Sequence, residues 1–80
     1  MNAGYLVSMW IKSKIKSMGY SATVKTLTPM IGGGLAGLFV GSVTRLGVTA
    51  AASVIAGYLG AGSSLAGPLG TIIGYASGFA

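Results

Sequence analysis

Residues 32–47 read GGGLAGLFVGSVTRLG, and within them Gly33, Gly37 and Gly41 recur at four-residue intervals. On an α-helix, residues four apart lie nearly above one another, so such a row forms a smooth groove along one side. A second helix can approach that groove until the two backbones nearly touch, which is how helices associate in lipid. The stretch therefore predicts a helix that packs closely against other helices.

The same spacing of small residues returns in the second half of the chain. Two further rows share it: Ala52, Ala56 and Gly60, and then Ala66, Gly70, Gly74 and Gly78. We expect all three rows to lie at helix–helix contacts, because a small side chain leaves room for a neighbouring backbone.

The composition is apolar and its charge is of one sign. Of the 80 residues, 52% are hydrophobic and 6% are charged. The charged residues are all basic: Lys12, Lys14, Lys16, Lys25 and Arg45. A water-soluble monomer needs more surface charge than this to cover a core, so a membrane or a tight oligomer is the expected environment. The net charge of +5 implies an anionic partner, either lipid headgroups or nucleic acid.

The residue types that are missing from the sequence argue against several classes of function. The sequence contains no Asp, Glu, His or Cys. General acid–base catalysis at neutral pH normally needs a carboxylate or an imidazole, and metal sites need these groups or a thiolate. We therefore predict a protein that is not an enzyme, with no metal site and no catalytic cofactor.

Residues 1–26 predict a basic amino-terminal helix with an apolar stripe that includes Val7 and Ile11. Lys12 and Lys16 share one flank of this helix, whereas Lys14 points elsewhere. Tryptophan settles at membrane–water boundaries. The region is expected to lie at a lipid interface through Trp10, Lys12, Lys14, Lys16 and Lys25. A helix whose lysines merely keep it soluble is the alternative.

The remainder predicts two apolar helices, 27–43 and 48–80, joined by a turn at 44–47. Arg45 in that turn is expensive to bury in lipid and should face water, a headgroup or a lumen. It is either an interface anchor or one of a ring of arginines that line a channel in an oligomer. The predicted fold is all-α, a helical hairpin of two long, kinked helices. Copies are expected to bury its apolar faces in a homopolymeric helical filament.

This pattern resembles the pilins of conjugative, type IV secretion-related pili, and especially those of the archaeal DNA-import systems. The residues that carry the resemblance are the apolar segment from Pro29 to Val43, the turn Thr44-Arg45-Leu46-Gly47, and the segment from Val48 to Phe79. They cover about two-thirds of the chain as a pattern, without a specific motif. The lysine-rich amino-terminal helix has no obvious counterpart in the bacterial members.

The resemblance implies a single pilin-like domain over residues 1–80 that assembles into a hollow, lipid-associated pilus. In that family the subunits bind membrane phospholipid, whose headgroups line the lumen, and the pilus supports DNA transfer between cells. The resemblance places Arg45 at the lumen, near lipid or DNA phosphate. It also implies single-stranded DNA as cargo, secretion-type assembly machinery as a partner, and location in the cell membrane before assembly into an extracellular pilus.

Other functions share the same physical basis. A membrane-permeabilising peptide of the bacteriocin kind would use the cationic charge to reach anionic bilayers. The coat protein of a filamentous virus would place the lysines of residues 12–25 against genome phosphates. A small membrane protein of the holin kind is the remaining alternative.

Overall fold

Helices make up nearly all of the described chain. The computed structural model describes residues 3–60 and 66–77. These residues form five α-helices: α1 (Ala3–Met18), α2 (Tyr20–Ile31), α3 (Gly33–Leu46), α4 (Val48–Gly60) and α5 (Ala66–Ser77). No strand occurs within these two ranges. The predicted all-α class is confirmed.

The first four helices are separated by single glycines, Gly19, Gly32 and Gly47, which we call the glycine joints. Their φ angles are 90°, 88° and 85°. Glycine adopts a positive φ without the steric penalty that a Cβ imposes, so each joint turns the chain within one residue. The N–H of each joint still donates to the carbonyl oxygen four residues earlier, which closes the preceding helix.

The joints divide the segments that the sequence predicts to be continuous. Gly19 interrupts the predicted helix over 1–26, and Gly32 interrupts the one over 27–43. The predicted turn at 44–47 is reduced to Gly47, because α3 continues through Arg45 to Leu46. The predicted helix over 48–80 contains α4 and α5, and residues 61–65 between them lie outside the described residues. Five helices of 12 to 16 residues therefore stand where three are expected, one basic and two apolar.

The helices bury a core formed within one chain. Helix α1 packs against α4 and α5, α2 packs against α3, and α3 packs against α4. The largest fully buried apolar side chains come from all five helices: Phe39, Ile11, Leu27, Ile55, Leu69, Val7 and Val40. The principal-axis extents are 27 × 27 × 21 Å. This finding differs from the expectation that copies of the chain must cover the apolar faces.

Helices α1 and α4 run antiparallel. Gly4, near the start of α1, lies beside Ala52 and Ala56, whereas Lys16, near its end, lines a groove with Val48 at the start of α4. Helices α3 and α4 are joined by an edge-to-face contact of Phe39 and Tyr58, whose ring centroids are 5.6 Å apart. Such pairs add about 0.5–1.5 kcal/mol beyond the burial of their area.

None of the helices in the described ranges combines the length and the apolar character that a membrane crossing requires.

Candidate functional site

Helix α1 carries a basic and aromatic surface on the side opposite its buried stripe. Val7 and Ile11 face the core, so the residues on the other side of the helix reach the surface. Met9, Lys12 and Lys16 are exposed there. Together with Tyr5, Ser13 and Val48 they line an open groove of about 370 Å³, the first groove.

A second groove lies along another flank of α1. Trp10 and Lys14 are both half-buried, and the Lys14 Nζ lies 5.5 Å from the centroid of the Trp10 ring. A cation at this distance is attracted by the negative face of the indole ring, which stabilises the pair by roughly 0.5–1 kcal/mol at an exposed site. These two residues and Met30, Thr71 and Ile72 line the second groove, of about 360 Å³.

The two grooves combine the same side-chain chemistry. Each has an aromatic ring, a methionine and at least one lysine. The sequence has no acidic side chain that could neutralise these lysines. A cation beside an apolar wall suits an amphiphile that carries an anionic head, because the head pairs with the ammonium group while the apolar part covers the wall. The placement of Lys12 and Lys16 apart from Lys14 agrees with the helical spacing in the sequence.

The two remaining predicted cations lie outside these grooves. Lys25 is exposed on α2, and Arg45 is exposed in the last turn of α3. A cation at a helix carboxyl end is stabilised by about 0.3–1 kcal/mol because it complements the helix dipole. The Arg45 guanidinium and the Tyr20 hydroxyl both lie beside Gly41, where an added Cβ would stand 3.7 Å from an Arg45 Nη and 3.3 Å from the Tyr20 oxygen. Whether Arg45 faces a lumen stays a prediction.

The predicted small-residue rows divide into packed and open positions. Gly41 is buried beside Tyr20, and Ala52 and Ala56 lie against α1. Among the described residues, a Cβ on Gly33 would meet only Thr28, at 3.9 Å. The row positions at which an added Cβ would meet no described residue within 4 Å are Gly37, Gly60, Gly70 and Gly74. Gly78 and the side chain of Ala66 lie outside the described residues. Contacts of these rows with other copies stay a prediction.

Sequence reasoning missed a close helix–helix approach, which Gly4 makes. A Cβ on Gly4 would lie 2.9 Å from the backbone nitrogen of Ala56 and closer still to the carbonyl oxygen of Ala52. Gly4 and Ser8 are four residues apart, so they form a small-residue pair on α1 that the same spacing rule could have found. Ser8 is fully buried, and its Oγ has no hydrogen-bond partner among the described residues.

The described residues contain no group of His, Cys, Asp and Glu side chains that could hold a metal ion. Comparisons with protein-family models, with curated proteins and with solved structures found no match to this chain.

Proposed function

We propose that this protein binds anionic membrane surfaces through α1 and permeabilises the membrane. The observation that carries the proposal is the pair of grooves on α1, each of which joins lysine to an aromatic ring and a methionine. Each lysine near an anionic bilayer contributes about 1 kcal/mol to binding, and the apolar walls add burial in the interface.

Exposed apolar side chains favour lipid over nucleic acid as the partner. Met9 is 48% exposed between Lys12 and Tyr5, and Leu46 is 55% exposed next to Arg45. Phosphate contacts with nucleic acid use cations and hydrogen-bond donors, whereas a bilayer interface also takes up the apolar groups beside them. The proximity of cations and exposed apolar atoms therefore supports an amphiphilic partner.

The core within one chain supports permeabilisation by a protein that reaches the membrane in a folded form. Phe39, Leu27 and Ile55 are fully buried by residues of the same chain, so copies are not required to cover them. The lysines lie on two flanks of α1 and on α2. A folded cationic protein of this kind can travel through water before it meets a bilayer.

A pilus subunit is the second candidate, and the open glycines favour it. Gly37 on α3 and Gly70 and Gly74 on α5 leave helix surfaces onto which another copy could pack closely. In that case the chain would bind phospholipid, pass from the cell membrane to an extracellular pilus with secretion-type machinery, and support transfer of single-stranded DNA.

The test is dye release from vesicles of phosphatidylglycerol and phosphatidylcholine, with vesicles of phosphatidylcholine alone for comparison. We expect binding and release only with the anionic vesicles. The double variant Lys12→Gln/Lys16→Gln removes two charges from the first groove. Because each lysine contributes about 1 kcal/mol, this variant should bind the anionic vesicles about 30-fold more weakly. The matched control, Lys25→Gln/Arg45→Gln, removes two charges outside the grooves and should weaken binding less.

Three results would contradict the proposal. Equal binding to both kinds of vesicle would remove the electrostatic argument. Binding without dye release, together with hollow lipid-containing filaments in electron cryo-microscopy, would favour the pilus subunit. Filaments that enclose nucleic acid would instead indicate a coat protein.

A further inference from the structure

Gly32 interrupts a helix but keeps the two helical hydrogen bonds made by its own N–H and carbonyl groups. Its N–H donates to the carbonyl oxygen of Thr28 at 2.8 Å, and its own carbonyl oxygen accepts from the N–H of Ala36 at 3.0 Å. A continuous α-helix has the same two bonds, each spanning four residues. Only the backbone angles of Gly32, φ 88° and ψ 156°, separate α2 from α3. Glycine also populates helical angles readily, so joining the two helices requires no residue to adopt a strained conformation.

Charge distinguishes Gly32 from the other two glycine joints. Straightening Gly19 would join two helices that together carry four lysines, and straightening Gly47 would place Arg45 in the middle of a helix. Straightening Gly32 would give a helix from Tyr20 to Leu46 with Lys25 and Arg45 near its two ends and no charge between them. That uncharged stretch would be about 28 Å long at 1.5 Å per residue, close to the roughly 30 Å of a bilayer's hydrocarbon core.

We propose that Gly32 is a hinge that converts α2 and α3 from a packed pair in water into one helix in lipid. In water the packed pair keeps Leu27, Phe39 and Val40 out of solvent. In hydrocarbon these side chains gain nothing by burial, whereas a continuous helix also satisfies the backbone groups that the joint leaves without helical partners. The lipid trigger rests on the proposed function, but the hinge itself is a property of this backbone.

Pro29 is compatible with the joined helix. It already lies inside α2, so the chain accommodates its missing N–H in helical geometry. Pro29 therefore keeps the same helical geometry when α2 and α3 are joined.

The experiment measures the distance between spin labels in the full chain. The sequence has no cysteine, so Ser21→Cys and Thr44→Cys give two unique labelling positions, both exposed. In the packed pair the labels are close, because the Tyr20 hydroxyl lies beside Gly41. In one continuous helix their backbones would be about 35 Å apart at 1.5 Å per residue. We expect the short distance in buffer and the long one on vesicles of phosphatidylglycerol and phosphatidylcholine.

Two substitutions at the same position bias the hinge in opposite directions. Gly32→Ala disfavours the positive φ and should shift the labels toward the long distance. A synthetic chain with D-alanine at position 32 favours the positive φ and should keep the short distance on vesicles. If Gly32→Ala fails to fold, the label distances in the D-alanine chain and in the chain with glycine at position 32 still test the hinge.

The possible outcomes separate the hinge from the proposed function. An unchanged short distance on vesicles that the chain demonstrably binds would overturn the hinge and leave the membrane proposal standing. Absence of vesicle binding would overturn the membrane proposal. The same labels would then be measured in dodecylphosphocholine micelles, where a long distance supports the hinge and a short one overturns it.

Discussion

The Nζ of Lys14 lies 5.5 Å from the centroid of the Trp10 ring, over the only tryptophan in the chain. This contact makes Trp10 a reporter of the second groove. We expect Lys14→Gln to alter Trp10 fluorescence in buffer and to lower the free energy of unfolding by about 0.5–1 kcal/mol. Lys12→Gln removes the same charge from the first groove and should change neither quantity. Equal changes in both variants would show that net charge, not the ring contact, is responsible.

The approach of α1 to α4 depends on the missing side chain at Gly4. In Gly4→Ala the added Cβ would meet the backbone of Ala52 and Ala56, which cannot move as a flexible side chain can. We expect a loss of about 1–3 kcal/mol in the free energy of unfolding, measured by chemical denaturation. Gly37→Ala is the control, because its Cβ would meet no atom of the described ranges within 4 Å. That variant should gain up to about 1 kcal/mol from helix propensity. Similar effects of the two variants would contradict the close approach at Gly4.

Removal of two buried hydroxyl groups should change the stability of the protein in different directions. Ser8 Oγ has no partner among the described residues, so Ser8→Ala should leave the melting temperature unchanged or raise it. Thr23 Oγ1 donates to the Gly19 carbonyl oxygen at 2.7 Å. Thr23→Val should therefore cost about 1 kcal/mol, since the shape is kept while the bond is lost. A marked loss of stability in Ser8→Ala would mean that the Ser8 hydroxyl is bound in solution.

The open glycines separate the two candidate functions. Gly37→Leu and Gly74→Leu add a bulky side chain where an added Cβ meets no described residue within 4 Å, so the monomer should keep its helical content. If the chain forms pili, the same variants should block filament assembly, because the side chain holds neighbouring subunits apart. Circular dichroism checks the first expectation and electron microscopy of sheared material checks the second. Normal filaments from either variant would exclude its glycine from the subunit contacts.

The sequence indicates which segments are helical better than it indicates where they end. The four-residue rows and the uncharged stretch around Phe39 predict helix, and the structure has helix there. The sequence alone does not reveal that Gly32 takes a positive φ while Gly33 and Gly34 begin a helix. That choice depends on tertiary packing, which favours folding α2 back on α3 in a single chain. The hairpin with two long helices could not be distinguished from five shorter ones on periodicity alone.

The basic surface was more predictable than the packing. The helical spacing separates Lys12 and Lys16 from Lys14, and the structure assigns them to different grooves. The contributions of Met30 and Ile72 to the second groove could not be predicted, because they come from α2 and α5 through the tertiary fold. The close approach at Gly4 was not predicted because Gly4 lies outside the rows of small residues in the apolar half of the chain.

The glycine joints have a consequence for proteolysis. From Ala3 to Gly60 the helices are separated by single residues, so this part of the chain offers no extended loop for a protease to bind. All five lysine and arginine residues, the sites at which trypsin cleaves, lie inside α1, α2 or α3. Cleavage must therefore wait until a helix opens, and the rate of digestion measures that opening. Although the chain is rich in glycine, we expect this part of it to resist trypsin for as long as its helices stay closed.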